Sequence, residues 1–392
     1  MRALQIERSR ARFVAARVAS GVKPGGGGRL GPVRLADIEP PDVPGPAWQV
    51  LKPRLAGICG SDLATVDGRS SRWFEPIVSF PFVPGHEVVA DTVDGRRVVI
   101  EPVLHCRVRG IDPPCGPCSG GRTNHCERLV GGHLQPGLQT GFCADTGGGW
   151  SVSLVAHELQ LHDIPGDWSD EAAVMVEPVA CAVHGALSAP AGQELVAVVI
   201  GAGTIGLATI AAINQLRSDV GSLIAVAKHP DQRQWARQLG ATTVVEPREL
   251  RRAVRRSTGS WILDGGQLTG GADVVFDCVG SAGSLSDALA VVAPGGTVVM
   301  LGMPGPVDVD LTGLWQREVR LAGAYAYGPE PMAGGRHSFS LAMEVVESAG
   351  LDRLVSATYP LDRYPEAIEH AAQAGRRGAV KVAFDLRHEK RR

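Results

Sequence analysis

The sequence predicts an α/β chain of two domains, a mostly β domain followed by a doubly wound parallel sheet. Three observations carry this. An unbroken apolar run spans 195–200, a glycine-rich turn and a helical stretch at 204–216 follow it, and apolar runs then keep alternating with helical segments. A continuous apolar run marks a strand buried on both faces, and strand–helix alternation marks parallel crossovers. The elements expected in order are strands at 195–200, 222–227, 273–277 and 297–301, with helices at 204–216 and 230–239 between them. Beyond 329 one more helix (340–348) and a closing strand (380–384) are expected. Residues 1–187, rich in Gly and Pro with short β-branched runs such as Val88-Val89, read as an irregular, mostly β domain.

Composition narrows the function classes. A chain of 392 residues suits two cores rather than one. Its formal net charge of −2 leaves no cationic surplus for a phosphate backbone, so no nucleic-acid partner is expected. No stretch reaches the roughly 20 apolar residues of a membrane helix, so no membrane partner is expected either. The basic start MRALQIERSRARFVAARVASG has no apolar run with a cleavage site, and Glu7 argues against a transit peptide. A cytoplasmic location is expected.

Gly201-Ala202-Gly203-Thr204-Ile205-Gly206 is a GxGxxG motif that directly follows a buried strand and opens a helix. That context gives it meaning as a dinucleotide site. The first glycine makes the turn, the second admits a pyrophosphate, the third lets helix and strand pack, and helix N–H groups face the anion. The next strand ends Ala225-Val226-Ala227-Lys228-His229, without the acid that holds a ribose 2′-hydroxyl in NAD enzymes. Lys228 could instead pair with a 2′-phosphate, so NADP is expected in preference to NAD; the alternative is a lysine in solvent. The cofactor-binding candidates are Gly201, Gly203, Thr204, Ile205, Gly206, Lys228, His229 and Val279, the last in the turn Cys278-Val279-Gly280.

Cys115, Cys118 and Cys126 crowd together with Cys106 just upstream. Four thiolates fill the tetrahedral shell of a structural zinc, and the C-x2-C pair is a strong signal for one. His105 or His125 is an alternative fourth ligand, and a disulfide the alternative chemistry. Three further fragments are dispersed: Cys59 within Gly57–Asp62, His86-Glu87 after Gly85, and Glu177 before Pro178. Singly, each is as readily a core residue.

GICGSD, PGHE, the cysteine cluster, VEP, GAGTIG and GADVVFDCVG stand here in one order. In that combination, over about 53–384, the chain resembles the medium-chain zinc-dependent alcohol dehydrogenases, most of all the sorbitol, threonine and glucose dehydrogenase branch. The resemblance implies a GroES-like catalytic domain at 1–187, completed by 329–392, around a Rossmann domain at 188–328. It implies a catalytic zinc on Cys59, His86 and an acid, either Glu87 or Glu177, besides the structural zinc on Cys106, Cys115, Cys118 and Cys126. Asp62 corresponds to the partner that orients the zinc-bound imidazole, and Ser61 to the hydroxyl of the proton relay. Many relatives continue that relay with a His where this chain has Ala64. The activity implied is hydride transfer between a secondary alcohol, polyol or sugar-type substrate, or its ketone, and NAD(P), zinc polarising the substrate oxygen. The alternative on the same fold is NADPH-dependent reduction of an activated C=C or C=N bond. Relatives are homodimers or homotetramers, often pairing the last Rossmann strand, here expected near 298–302.

Overall fold

The apolar runs of the second half become strands. In the computed structural model, which describes residues 1–389, one compact unit is Pro178–Ala349 and the other joins Met1–Glu177 to Gly350–Arg392. The first of these contains, in chain order, β1 (Leu195–Ile200), α1 (Thr204–Leu216), β2 (Val220–Val226), α2 (Pro230–Gln238), β3 (Thr243–Val245), α3 (Leu250–Thr258), β4 (Ala272–Asp277), α4 (Ala282–Val291), β5 (Val292–Met300) and β6 (Arg320–Gly323). The strands form one parallel sheet in the order β3-β2-β1-β4-β5-β6. That is the doubly wound dinucleotide-binding order, whose direction reverses between β1 and β4. Val198, Ile224, Val275, Val298 and Leu268 lie in one core beneath α3 and α4.

Two strands had no sequence signal. β3 has three half-buried residues, and β6 is exposed at all four positions. The expected last strand near 298–302 is therefore corrected. It belongs to β5, which lies between β4 and β6, and the sheet edge is β6. Residues 320–323 lack an apolar run because one side of that strand has no neighbour to bury it.

In the other unit Trp48–Gly57 is the central strand of a seven-stranded sheet. It pairs with Val88–Asp91, Leu154–His157 and the closing strand Lys381–Asp385. The register sets Ala383 opposite Gly57, so the end of the chain is a structural neighbour of its beginning. Phe82, Trp150 and Phe384 fill the core at this end. Residues 1–187 are less purely β than expected. The helix Arg10–Val22 is inserted between the paired strands Arg2–Ile6 and Val33–Asp37, buries Ala16 and sets Phe13 edge-on to Phe80. Beyond 329 the helix Tyr364–Ala372 adds to the expected one, which runs Ser338–Ala349.

Candidate active site

The strand Trp48–Gly57 delivers the chain to Cys59, the N-cap of the helix Gly60–Val66. Asp62 in the first turn closes a reciprocal cap: its Oδ2 accepts the Cys59 N–H at 3.1 Å, and the Cys59 sulfur faces the Asp62 N–H. The other oxygen, Oδ1, lies 3.5 Å from His86 Nδ1. Both atoms are buried with no closer hydrogen-bond partner. The Cys59 sulfur is close enough to hydrogen-bond the same ring. Burial works against charge on His86, but Asp62 and Cys59 outweigh it and raise the imidazole pKa well above its usual range. Ser61 stands half-buried in the same helical turn.

An imidazole with a carboxylate behind one nitrogen and a thiol within reach could hold a metal ion. The carboxylate fixes the ring, and a cation would replace the shared protons. The two candidate acids are placed differently. Glu87, 1% exposed, is ion-paired through Oε2 with the equally buried Lys381. Glu177 is buried in the first turn of the helix Val176–Ser188. Among the described residues, neither joins Cys59 and His86 in a set of three ligand atoms within 4.8 Å.

Lys381 escaped the sequence reading. Burial opposes its charge, yet Glu87, Cys59 and Glu177 together raise its pKa above the ordinary lysine value. Its signal was faint, one cation inside an apolar strand, and its partner is far away in sequence. Gly57 makes the pair possible, because a Cβ there would overlap the Glu87 carboxylate and crowd the lysine stem.

The four sulfurs of Cys106, Cys115, Cys118 and Cys126 lie within 4.8 Å of one another, all buried. His105 and His125 are not part of this set. Cys106 and Cys126 are 3.7 Å apart. That is far beyond a disulfide of about 2.05 Å, and it matches the edge of about 3.8 Å of a tetrahedron with zinc–sulfur bonds of about 2.3 Å. Backbone N–H groups of Cys115 and Arg128 point at the Cys106 and Cys126 sulfurs. Burial raises Cys118 and Cys126, whereas N–H donors from Glu127 and Cys118 overcome it at Cys115 and bring that thiol to about 7. Four converging sulfurs that a cation would deprotonate form a donor set that suits zinc. Arg109, fully buried, holds this lobe by donating to the carbonyls of Leu104, Gly131, Leu134, Gln135 and Gly137.

At the nucleotide end, Gly201 takes φ +93° and Gly203 caps α1. A Cβ on Gly206 would overlap the Gly201 carbonyl oxygen, so helix and strand can approach only with glycine there. Thr204 and Ile205 form the first turn of α1. The neighbouring turn after β4 presents Val279, 48% exposed, and is shaped by Asp277, whose Oδ1 accepts the N–H groups of Val279 and Gly280 at 2.9 and 3.1 Å. Asp277 was also overlooked, for it reads as the polar end of an apolar strand. Lys228 is exposed just beyond β2, and His229 caps α2. Arg233, a second cation beside Lys228, donates to the Lys228 carbonyl at 3.0 Å.

Other residues fall outside these clusters. His184 is half-buried and bonds Glu330 at 2.9 Å, and Trp315 is 78% exposed.

Comparison with known proteins agrees with this geometry. Residues 45–166 match the family model of the alcohol dehydrogenase GroES-like domain, and 204–348 that of zinc-binding dehydrogenases. The L-threonine 3-dehydrogenase of Streptomyces avermitilis is 30% identical over 373 residues, covering 90% of this chain and 96% of the relative. The chain belongs to the zinc-dependent medium-chain dehydrogenase family. The sorbitol dehydrogenase of Arabidopsis thaliana is 29% identical, with 91% and 92% covered. A zinc-binding dehydrogenase from Sinorhizobium meliloti 1021, solved with NADP bound, superimposes with a TM-score of 0.68 at 26% identity, covering 90% of this chain and 95% of that one. As a member of this family the protein is an oxidoreductase that uses zinc and a nicotinamide cofactor to move a hydride between an alcohol and its carbonyl counterpart.

Proposed function

We propose that this dehydrogenase acts on the secondary alcohol of a polyol, sugar or hydroxy-amino acid, or on the matching ketone. Cys59, His86 and Glu177 would hold its catalytic zinc, and NADP would be the preferred cofactor. The observation that carries the reading is the Cys59–His86–Asp62 arrangement, a thiol and a carboxylate bearing on one buried imidazole. The relatives' substrates, sorbitol and L-threonine among them, support the substrate class.

Bound zinc would supply Lewis acidity, the capacity to lower the pKa of a water-like hydroxyl from about 16 to about 7. The chain's own residues do the rest. Asp62 holds the His86 tautomer and ring orientation. Ser61 Oγ takes the substrate proton outward, and since Ala64 cannot extend that route, the proton passes to solvent or a cofactor hydroxyl. Lys381 keeps the Glu87 carboxylate engaged, which favours Glu177 as the third ligand. Cys106, Cys115, Cys118 and Cys126 would hold a second zinc, to which four sulfur donors would leave no open position and a structural role.

For the cofactor, Lys228, His229 and Arg233 gather cationic or protonatable groups where an NAD enzyme keeps an acid. The exposed edge β6 supports a homodimer or homotetramer. Among the described residues no helix is long and apolar enough to cross a membrane, and eight cysteines without a disulfide suit the reducing cytoplasm.

The test combines metal analysis with a panel of diols, sugars, cyclitols and hydroxy-amino acids, read by NADPH absorbance. Two zincs per chain and turnover of a panel member are expected. A chain with no zinc bound near Cys59 and activity only on an activated C=C bond would overturn the proposal.

A further inference from the structure

Between α3 and β4 the chain makes a hairpin that neither zinc nor nucleotide chemistry requires. Trp261 and Thr269 are tied by two hydrogen bonds of 3.0 Å, Leu263 N–H donates to the Gln267 carbonyl at 2.9 Å, and Gly266 N–H closes the turn on the Leu263 carbonyl at 2.8 Å. Leu268, on the returning arm, is 3% exposed and anchors the hairpin in the sheet's core. The outgoing arm does the reverse. Trp261, Ile262 and Leu263 are 77%, 48% and 52% exposed. An ordered, hydrogen-bonded hairpin thus holds three consecutive large apolar side chains in water.

Beside it runs the most strongly amphipathic helix of the chain. In α3, Leu250, Ala253 and Val254 face the core, while Arg251, Arg252, Arg255 and Arg256 are exposed. Arg251 joins the two elements by donating to the Gly266 carbonyl at 3.3 Å. Nearby acids only partly offset this charge: Glu246 is taken up by Arg233 and Arg248, leaving Glu249 at the start of α3, Asp264 in the hairpin and Asp287 of α4, whose charge bears on Arg251.

We propose that this hairpin and α3 dock the enzyme on an anionic lipid surface. Trp261, Ile262 and Leu263 would enter the headgroup boundary, and the arginines would meet the lipid charge. This departs from the expectation of no membrane partner, which rested on the lack of a spanning segment. Surface binding asks only for a modest apolar insertion beside cations. A second copy is disfavoured because two arginine faces would meet. The three apolar side chains present on the order of 350 Å², the size of a functional patch on a monomer, but under half of the roughly 800 Å² per partner of a stable protein interface.

The test is vesicle flotation of the zinc-loaded, full-length enzyme. Vesicles of phosphatidylcholine alone are compared with vesicles also containing phosphatidylglycerol. Anionic vesicles should bind at least about 10-fold more enzyme and release it in high salt, as expected of joint apolar and electrostatic anchoring. The triple variant Trp261→Ser, Ile262→Ser, Leu263→Ser and the triple variant Arg252→Glu, Arg255→Glu, Arg256→Glu should each lose that binding while keeping dehydrogenase activity. Equal partition of the wild type onto both vesicle types would overturn the proposal, as would binding that survives the serine variant. So would a change in oligomeric mass in the serine variant, which would assign the patch to contacts between copies.

Discussion

Lys381 and Glu87, 294 residues apart in sequence, form an ion pair in which each side chain is 1% exposed. Removing one partner strands the other charge in the protein interior. Lys381→Met is expected to destabilise the fold by about 3–5 kcal/mol, and adding Glu87→Gln should restore part of this. Denaturant titration of the two variants measures it. Equal stability of Lys381→Met and wild type would show that the pair is immaterial.

The same pair sets an alkaline limit. The folded lysine pKa is raised above the unfolded value near 10.5, so the stability it contributes is complete below that pH and declines as pH climbs toward the folded value. Thermal melts from neutral pH upward should show a loss above about 10.5 that Lys381→Met lacks.

Zinc uptake at the His86 site should strengthen with pH. Without metal the ring is held protonated by Asp62 and Cys59, so binding must expel that proton. Competition with a chelator is expected to give tighter binding at pH 8 than at pH 6, and Asp62→Asn should flatten the dependence. A pH-independent affinity would refute the link.

In the cysteine lobe, Cys118→Ser removes one of four converging sulfurs. Metal analysis should fall by one zinc per chain. The melting temperature should drop by several degrees or more, since such sites contribute on the order of 10 kcal/mol of local folding energy. Retention of both zincs would mean that the lobe is not a metal site.

Two substitutions probe the chemistry. Ser61→Ala should lower kcat by roughly 100-fold, in the range of lost proton-transfer catalysis, with zinc content unchanged. Lys228→Ala should raise the KM for NADP by about 10-fold and leave NAD nearly untouched, the cost of one charge-assisted phosphate contact. Unaltered turnover or an unaltered cofactor ratio would remove the residue from its role.

Much of this was legible in the sequence because it is local. An apolar run ending in GAGTIG specifies β1, its turn and α1 within a few residues, and the spacing of Cys115, Cys118 and Cys126 carries its meaning without the rest of the chain. Helix caps such as Cys59 with Asp62 are equally short-range. The sequence by itself therefore determined the strand–helix alternation, the nucleotide turn and the cluster of Cys115, Cys118 and Cys126, while the structure chose Cys106 over His105 or His125 as the fourth member. Only the tertiary structure decided which sheet edge lies open, that Asp62 also faces His86, and that a lysine from the closing strand occupies Glu87. Those facts depend on register, as when Ala383 pairs with Gly57. Periodicity says which residues are buried, but register between distant strands says beside whom.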